Sequence, residues 1–181
     1  MRRVALSKGF PATTVEEICE LAGVTKGSFY HHFQGKDDLG VAALEAYFAD
    51  VVAAFGDGEW SHVEDPVARL QAFMAHAAAI CTGPVMISGC LIGSFSLDMA
   101  ESSPDLRARL STMFAALRDV VAGLVTDAAE SRGRVLDAGL FGDQFLAVLE
   151  GSIVLAKAHA DPGVPRRGLQ LLAQHLDLLL G

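Results

Sequence analysis

Between Thr13 and Leu39 the apolar residues fall into two short helical runs separated by one glycine, and this pattern constrains the chain more than any other. Val15, Ile18, Cys19 and Ala22 are spaced i, i+3, i+4 and i+7, which is one face of a helix. Thr13 and Thr14 are each followed three positions later by a glutamate, Glu16 and Glu17, so either threonine can close a capping box ahead of that helix. Gly23 ends it, because the residue after a helix commonly turns left-handed and glycine does so without a Cβ penalty. Val24 is expected to plug the angle between the helices. Thr25 then caps a second helix whose Phe29 and Phe33, one turn apart, pack inward, and Lys36 opens a third.

The outward side of the second helix carries Thr25, Lys26, Gly27, Ser28, Tyr30 and His31. These residues offer hydroxyls, an ammonium, an imidazole and a bare patch of backbone. Such groups donate to phosphate oxygens and base edges, and small residues at a helix start let it sit deep in a major groove. Thr14 and Lys36, at the starts of the flanking helices, are candidates for neighbouring phosphates. Taken alone, a helical hairpin with a polar solvated face fits the same spacing.

The match is denser than a generic hairpin. Gly9-Phe10, Thr13-Thr14-Val15, Ile18, Ala22-Gly23-Val24, Lys26-Gly27-Ser28, Tyr30, His32-Phe33, Lys36 and Leu39 together closely resemble the DNA-binding domain of the TetR family of bacterial repressors. The resemblance implies an all-α chain with an N-terminal helix–turn–helix head of three helices, residues 1–40. The larger helical domain, residues 41–181, would bind an effector and dimerise. One departure is visible: the helix ending near Gly9 is a turn or two shorter than the family's first helix, which bears on head stability and minor-groove contacts.

Charge at first argues against a nucleic-acid partner, since the formal net charge is −8. It is unevenly placed. Arg2, Arg3, Lys8, Lys26 and Lys36 balance Glu16, Glu17, Glu20, Asp37 and Asp38 within residues 1–40, so the remainder carries the whole deficit. Lys26 and Lys36 lie by the presumed groove and the glutamates on the preceding helix. A head this weakly basic predicts moderate, salt-sensitive affinity that depends on a dimer.

The 51% hydrophobic content, rich in Ala and Leu with few β-branched runs, points to helices. Cys19, Cys81 and Cys90 form no CxxC pair, which fits a reducing cytoplasm. Arg2-Arg3 leads straight into a helix with no secretory pattern. The stretch from Leu70 to Leu97 lacks any Asp, Glu, Lys or Arg. Gly83-Pro84 breaks it and His76, Thr82, Ser88, Ser94 and Ser96 interrupt it, so it reads as a domain interior and no membrane partner is expected.

Further on, Lys36 to about Phe55 reads as one helix with Leu44, Tyr47, Phe48, Val51, Val52 and Phe55 on a stripe. Asp65-Pro66 and Ser103-Pro104 are cap-then-proline starts. The helix after Pro104 spaces Leu106, Leu110, Met113, Leu117, Val120 and Leu124 like heptads. Two helices end the chain. Phe141, Phe145, Val148, Ser152 and Leu155 share a face on the first. The second carries Leu169, Leu172, Leu176 and Leu179 on one stripe and Leu171, His175 and Leu178 on another. A terminal helix apolar on two sides must bury both, one against a partner. The resemblance implies a four-helix dimer interface there, with Phe141, Val148, Leu155, Leu171, His175 and Leu178 as candidates.

No GxSxG elbow, phosphate loop or GxGxxG follows a strand pattern, and neither the histidines nor the acids are spaced for a metal or a catalytic pair. No enzyme, cofactor or metal is expected. Phe73, His76, Met86, Cys90, Phe95, Met113, Phe114 and Phe145 are candidates to line an effector pocket, with Ser88 and Ser94 as further polar anchors. Their lack of charge predicts a small, mostly apolar effector. Gly89-Cys90-Leu91-Ile92-Gly93 through Ser103-Pro104-Asp105-Leu106-Arg107 resembles a segment of one subset of TetR-family ligand domains. Cys90 there reads either as an oxidant or electrophile sensor, or as an inert small buried residue. The expectation is a cytoplasmic homodimeric repressor binding a palindromic operator on double-stranded DNA and released by a small molecule. Its rivals are a dimeric helical ligand-binding protein that has lost DNA binding, and a helical enzyme.

Overall fold

The computed structural model describes residues 2–56, 58–83, 89–99 and 103–181. Among these residues there are nine α-helices, one short 3-10 turn and no strand. In order they are α1 (Arg2–Lys8), α2 (Val15–Ala22), α3 (Lys26–His32), α4 (Lys36–Gly56), the 3-10 turn Glu59–His62, α5 (Pro66–Ile80), α6 (Leu91–Met99), α7 (Pro104–Ser131), α8 (Ala138–His159) and α9 (Val164–Leu180). The all-α expectation is met, and both cap-then-proline starts act as the sequence signals, with Asp137 a third cap that it does not. Asp65 Oδ1 accepts from Ala68 N–H at 2.8 Å, Ser103 Oγ from Leu106 N–H at 3.3 Å, and Asp137 Oδ1 from Leu140 N–H at 2.9 Å.

Two compact units emerge, one from residues 1–50 and 88–112, the other from 51–87 and 113–181. In the first, α1 packs against α6. Phe10, fully buried, meets Phe95 of α6 with ring centroids 4.7 Å apart, and its N–H donates to Asp98 Oδ2 at 2.9 Å. Gly40 leaves room for that ring, since a Cβ there would lie 2.8 Å from Phe10. Arg109 joins Glu45 across 2.6 Å.

The second unit is a bundle in which α5 and α8 pack on α9. Its core includes Phe55, Leu70, Phe73, Met74, Val121, Val125, Phe145, Leu149, Leu169, Leu172 and Leu176. Arg69 of α5 pairs with Asp127 of α7 at 3.7 Å. Gly142 lets α8 approach α7 closely, because a Cβ on it would stand 2.6 Å from the Arg118 carbonyl oxygen.

Three expected faces shift. The heptad seam of α7 holds at Leu106, Leu110 and Met113, but further along Val121 and Val125 are buried beside Leu124 while Val120 is half exposed. A helix of 3.6 residues per turn drifts by about 20° per heptad, so a strict 3.5 repeat cannot stay on one side of a straight helix. In α8 the buried line is Gly142, Phe145, Leu149, Ser152 and Ile153, with Phe141, Val148 and Leu155 flanking it outward. Val24 is 44% exposed and so does not plug the α2–α3 angle; Ile18, Cys19 and Phe29 fill that space.

By length and composition alone, α4 and α8 could each cross a membrane, and neither is the charge-free stretch singled out above. Both are partly buried in this fold: α4 buries Leu44 and Tyr47 in the first unit and Val51 and Phe55 in the second, and α8 buries Phe145 and Leu149 in the second.

Candidate functional site

The head is built from its caps outward. Thr14 is the N-cap of α2: its Oγ1 accepts from Glu17 N–H at 3.3 Å, and Glu17 Oε2 accepts from Thr14 N–H at 2.9 Å. Thr13 is buried instead and donates its hydroxyl to Gly9 O at 2.9 Å. Of the two threonines, Thr14 therefore closes the capping box. Lys8 meets Glu17 at 2.5 Å, and this hydrogen bond, with those from the Thr14 backbone and hydroxyl, holds the carboxyl down to about 2. Gly23 turns left-handed at φ +67°, and Val24 N–H reaches back to Cys19 O at 3.0 Å. Thr25 Oγ1 then accepts from Ser28 N–H at 3.1 Å to start α3.

Phe29 anchors α3: it is buried, with Tyr30 edge-on to it at 5.1 Å and Phe33 at 5.6 Å. Thr25, Lys26, Gly27, Ser28, Tyr30 and His31 are all exposed, Tyr30 to 57%. Lys26 hydrogen-bonds to Glu16 of α2, an ion pair that lowers the Glu16 pKa and raises that of Lys26. Solvent-exposed pairs of this kind are weak and screened by salt, so the ammonium can exchange its carboxylate for another anion. Lys36 is used differently. Its Nζ donates to the carbonyls of Phe10 and Pro11, both at 3.1 Å, and lies 4.7 Å over the Phe10 ring. It clamps the loop between α1 and α2.

The second unit contains an apolar cavity of about 230 Å³. Phe55, Trp60, Phe73 and Phe145 supply its aromatic wall; Val52, Leu117, Val120 and Leu149 supply aliphatic surface. Among the expected effector contacts, Phe73 and Phe145 are therefore cavity residues. His76 stands beside this site: its Nε2 lies 2.8 Å from Ala54 O, and since a carbonyl only accepts, the ring carries its proton there. Met113 is buried and Phe114 half-buried, neither on the cavity wall. Phe95 and Cys90 belong to the core of the other unit, where Cys90 Sγ accepts from Gly93 N–H at 3.4 Å. Met86 and Ser88 lie outside the described residues.

On α8 and α9, Leu155, Leu171 and Leu178 are exposed to 48%, 68% and 82%. Val148, Leu171, His175 and Leu178 line a shallow groove, and His175 faces Phe141 across 6.1 Å. Gly168 admits the close approach of α8, with a Cβ there reaching 2.6 Å from Ser152 Oγ.

The family model described as "Bacterial regulatory proteins, tetR family" matches residues 2–43, and the one described as "Tetracyclin repressor-like, C-terminal domain" matches residues 66–172. The chain belongs to the TetR family. It is a DNA-binding transcriptional regulator. The transcriptional regulator AcuR of Cereibacter sphaeroides is 33% identical over 162 residues, 86% of this chain and 72% of that protein. The HTH-type transcriptional repressor DhaR of a Mycobacterium species (strain GP1) is 29% identical over 157 residues, 86% and 77% of the two chains. Among solved structures, the regulatory protein TetR from Rhodobacter sphaeroides superposes with a TM-score of 0.81 at 28% identity, covering 96% of this chain and 95% of that one.

In this TetR-family chain the least legible residue of the cavity wall is Trp60. It sits in a short polar segment between α4 and α5, outside every periodic run, and its only signal is a lone large aromatic where a loop is otherwise hydrophilic. The structure turns that ring onto Phe73, 5.0 Å away and edge-on, and ties its Nε1–H to Phe55 O at 3.0 Å. Phe55, Leu117 and Val120 are visible in the sequence as parts of helical stripes, which say nothing of a cavity.

Proposed function

We propose that this regulator acts as a homodimeric repressor whose two α3 helices enter successive major grooves of a palindromic operator, and that a small, mostly apolar molecule in the cavity releases it. One observation carries the reading. The face of α3 bearing Thr25, Lys26, Gly27, Ser28, Tyr30 and His31 is solvent-exposed, while Phe29 on the opposite face fixes the helix to the head. Tyr30 and Ser28 can reach base edges or phosphates, Lys26 a phosphate in exchange for Glu16, and Gly27 presents backbone without a side chain in the way.

The exposed leucines of α8 and α9 support dimerisation, because an isologous contact would cover the same patch on both copies. The 230 Å³ cavity supports the effector. Such a molecule shifts the protein toward a non-binding conformer only to the extent that it binds that conformer more tightly.

Selection from a random duplex pool tests the proposal. The recovered site should be an inverted repeat with half-site centres about one helical turn, roughly 34–36 Å, apart or a multiple of it. Recovery of a direct repeat, or of no consensus, would overturn it.

A further inference from the structure

The wall of the cavity in the second unit is narrower in chemistry than its apolar character alone conveys. Phe73 has Trp60 edge-on at 5.0 Å and 81°, with Phe55 at 6.2 Å and Phe145 at 5.9 Å; Phe55 and Phe145 meet at 84°. These rings border the cavity, so a ligand ring within it would meet them at the offset or edge-on arrangements that aromatic pairs prefer. The one polar atom these rings carry, Trp60 Nε1, already donates to Phe55 O. Among the described residues no charged side chain lines the cavity, so an anion would leave water for a site with no partner, and a cation would exchange its hydration for ring faces alone.

Size narrows the occupant further. A dry cavity of about 150 Å³ accommodates benzene, so in proportion 230 Å³ takes about nine or ten non-hydrogen atoms. Val52, Ala116 and Val120 on the rim are exposed, which gives the site a mouth. We infer that this cavity binds a neutral aromatic molecule of about the size of naphthalene. The inference rests on the reading of this unit as the effector-binding part and specifies the effector's class.

The chain has a single tryptophan, so its emission reports from the cavity wall. Naphthalene titrated into the full chain should change that emission saturably and give a calorimetric isotherm of one site per chain. Two charged probes serve as controls, 2-naphthoate with the same fused rings and benzyltrimethylammonium with one ring and similar overall size; 2-naphthoate should bind about a hundredfold more weakly and the cation more weakly than naphthalene. Ala116→Phe places a ring in the mouth from an exposed position; with its melting curve unchanged, it should weaken naphthalene binding about tenfold or more. A missing saturable response, a charged probe that equals naphthalene, or an Ala116→Phe variant that binds like the parent would each overturn the inference. Release of operator duplex is measured separately. Binding without release supports the site and counts against the effector role.

Discussion

At the scale of single residues, the head is held by groups that double as candidate contacts, and the distinction between the two uses is chemical. Glu17 illustrates it: Lys8 and the Thr14 backbone and hydroxyl lower its carboxyl from 4.5 to about 2. A depressed folded-state pKa stabilises above the unfolded value and loses that contribution as pH falls through the folded one. Thermal unfolding of Glu17→Gln against the parent should therefore differ most above about pH 4.5 and converge as pH approaches about 2; a difference that grows on acidification contradicts the capping-box account. Cys81 offers a second check. Burial raises its thiol to about 12, and Sγ donates to Ala77 O at 3.1 Å. It should resist alkylation at pH 8 in the native chain and react once the chain is unfolded. At this scale the sequence is ambiguous where two residues satisfy one rule: the spacing admits Thr13 and Thr14 equally, and the structure separates them by the Thr14–Glu17 bonds and the Thr13 bond to Gly9 O.

At the scale of elements, starts and stops were legible and partners were not. Asp65-Pro66, Ser103-Pro104 and Gly23 act through neighbours three to five positions away, so the local sequence contains the cause. Nothing local announces that α6 packs on α1, because Phe10 and Phe95, and Phe10 and Asp98, meet across long stretches of chain. The close approach of α8 to α7 likewise involves residues far apart in sequence, Gly142 and Asp143 against Arg118. Gly142→Ala should lower the melting temperature, at a cost of about 1–3 kcal/mol typical of overpacking, and a variant as stable as the parent would show that the two helices can separate freely. The last turn of α4 has its own dependence: Ala54 O is taken by His76 and Phe55 O by Trp60, both carbonyls that the helix itself leaves unsatisfied. Trp60→Phe keeps a ring and loses the donor, so it should cost about 0.5–1.5 kcal/mol of stability. No change on scanning calorimetry would mean water replaces the bond without loss.

At the scale of the whole molecule, the family assignment and the exposed faces combine into a dimeric DNA-binding account. The dimer part is open to a direct perturbation. Glutamates at Leu171 and Leu178 would bury charges in the proposed contact without touching either core, since both side chains are exposed. Light scattering should report a monomer for the double variant; a persistent dimer would place the interface elsewhere. The DNA part is tested most directly by the salt dependence of duplex binding, using the parent, Lys26→Ala and Tyr30→Ala on the selected operator. The account predicts a clear negative slope of log affinity on log salt for the parent. Lys26→Ala should bind more weakly with a slope reduced by about 1 per head, and Tyr30→Ala should bind severely more weakly with the dimer intact. Affinities and slopes in both variants equal to the parent's would contradict the placement of α3 in the groove.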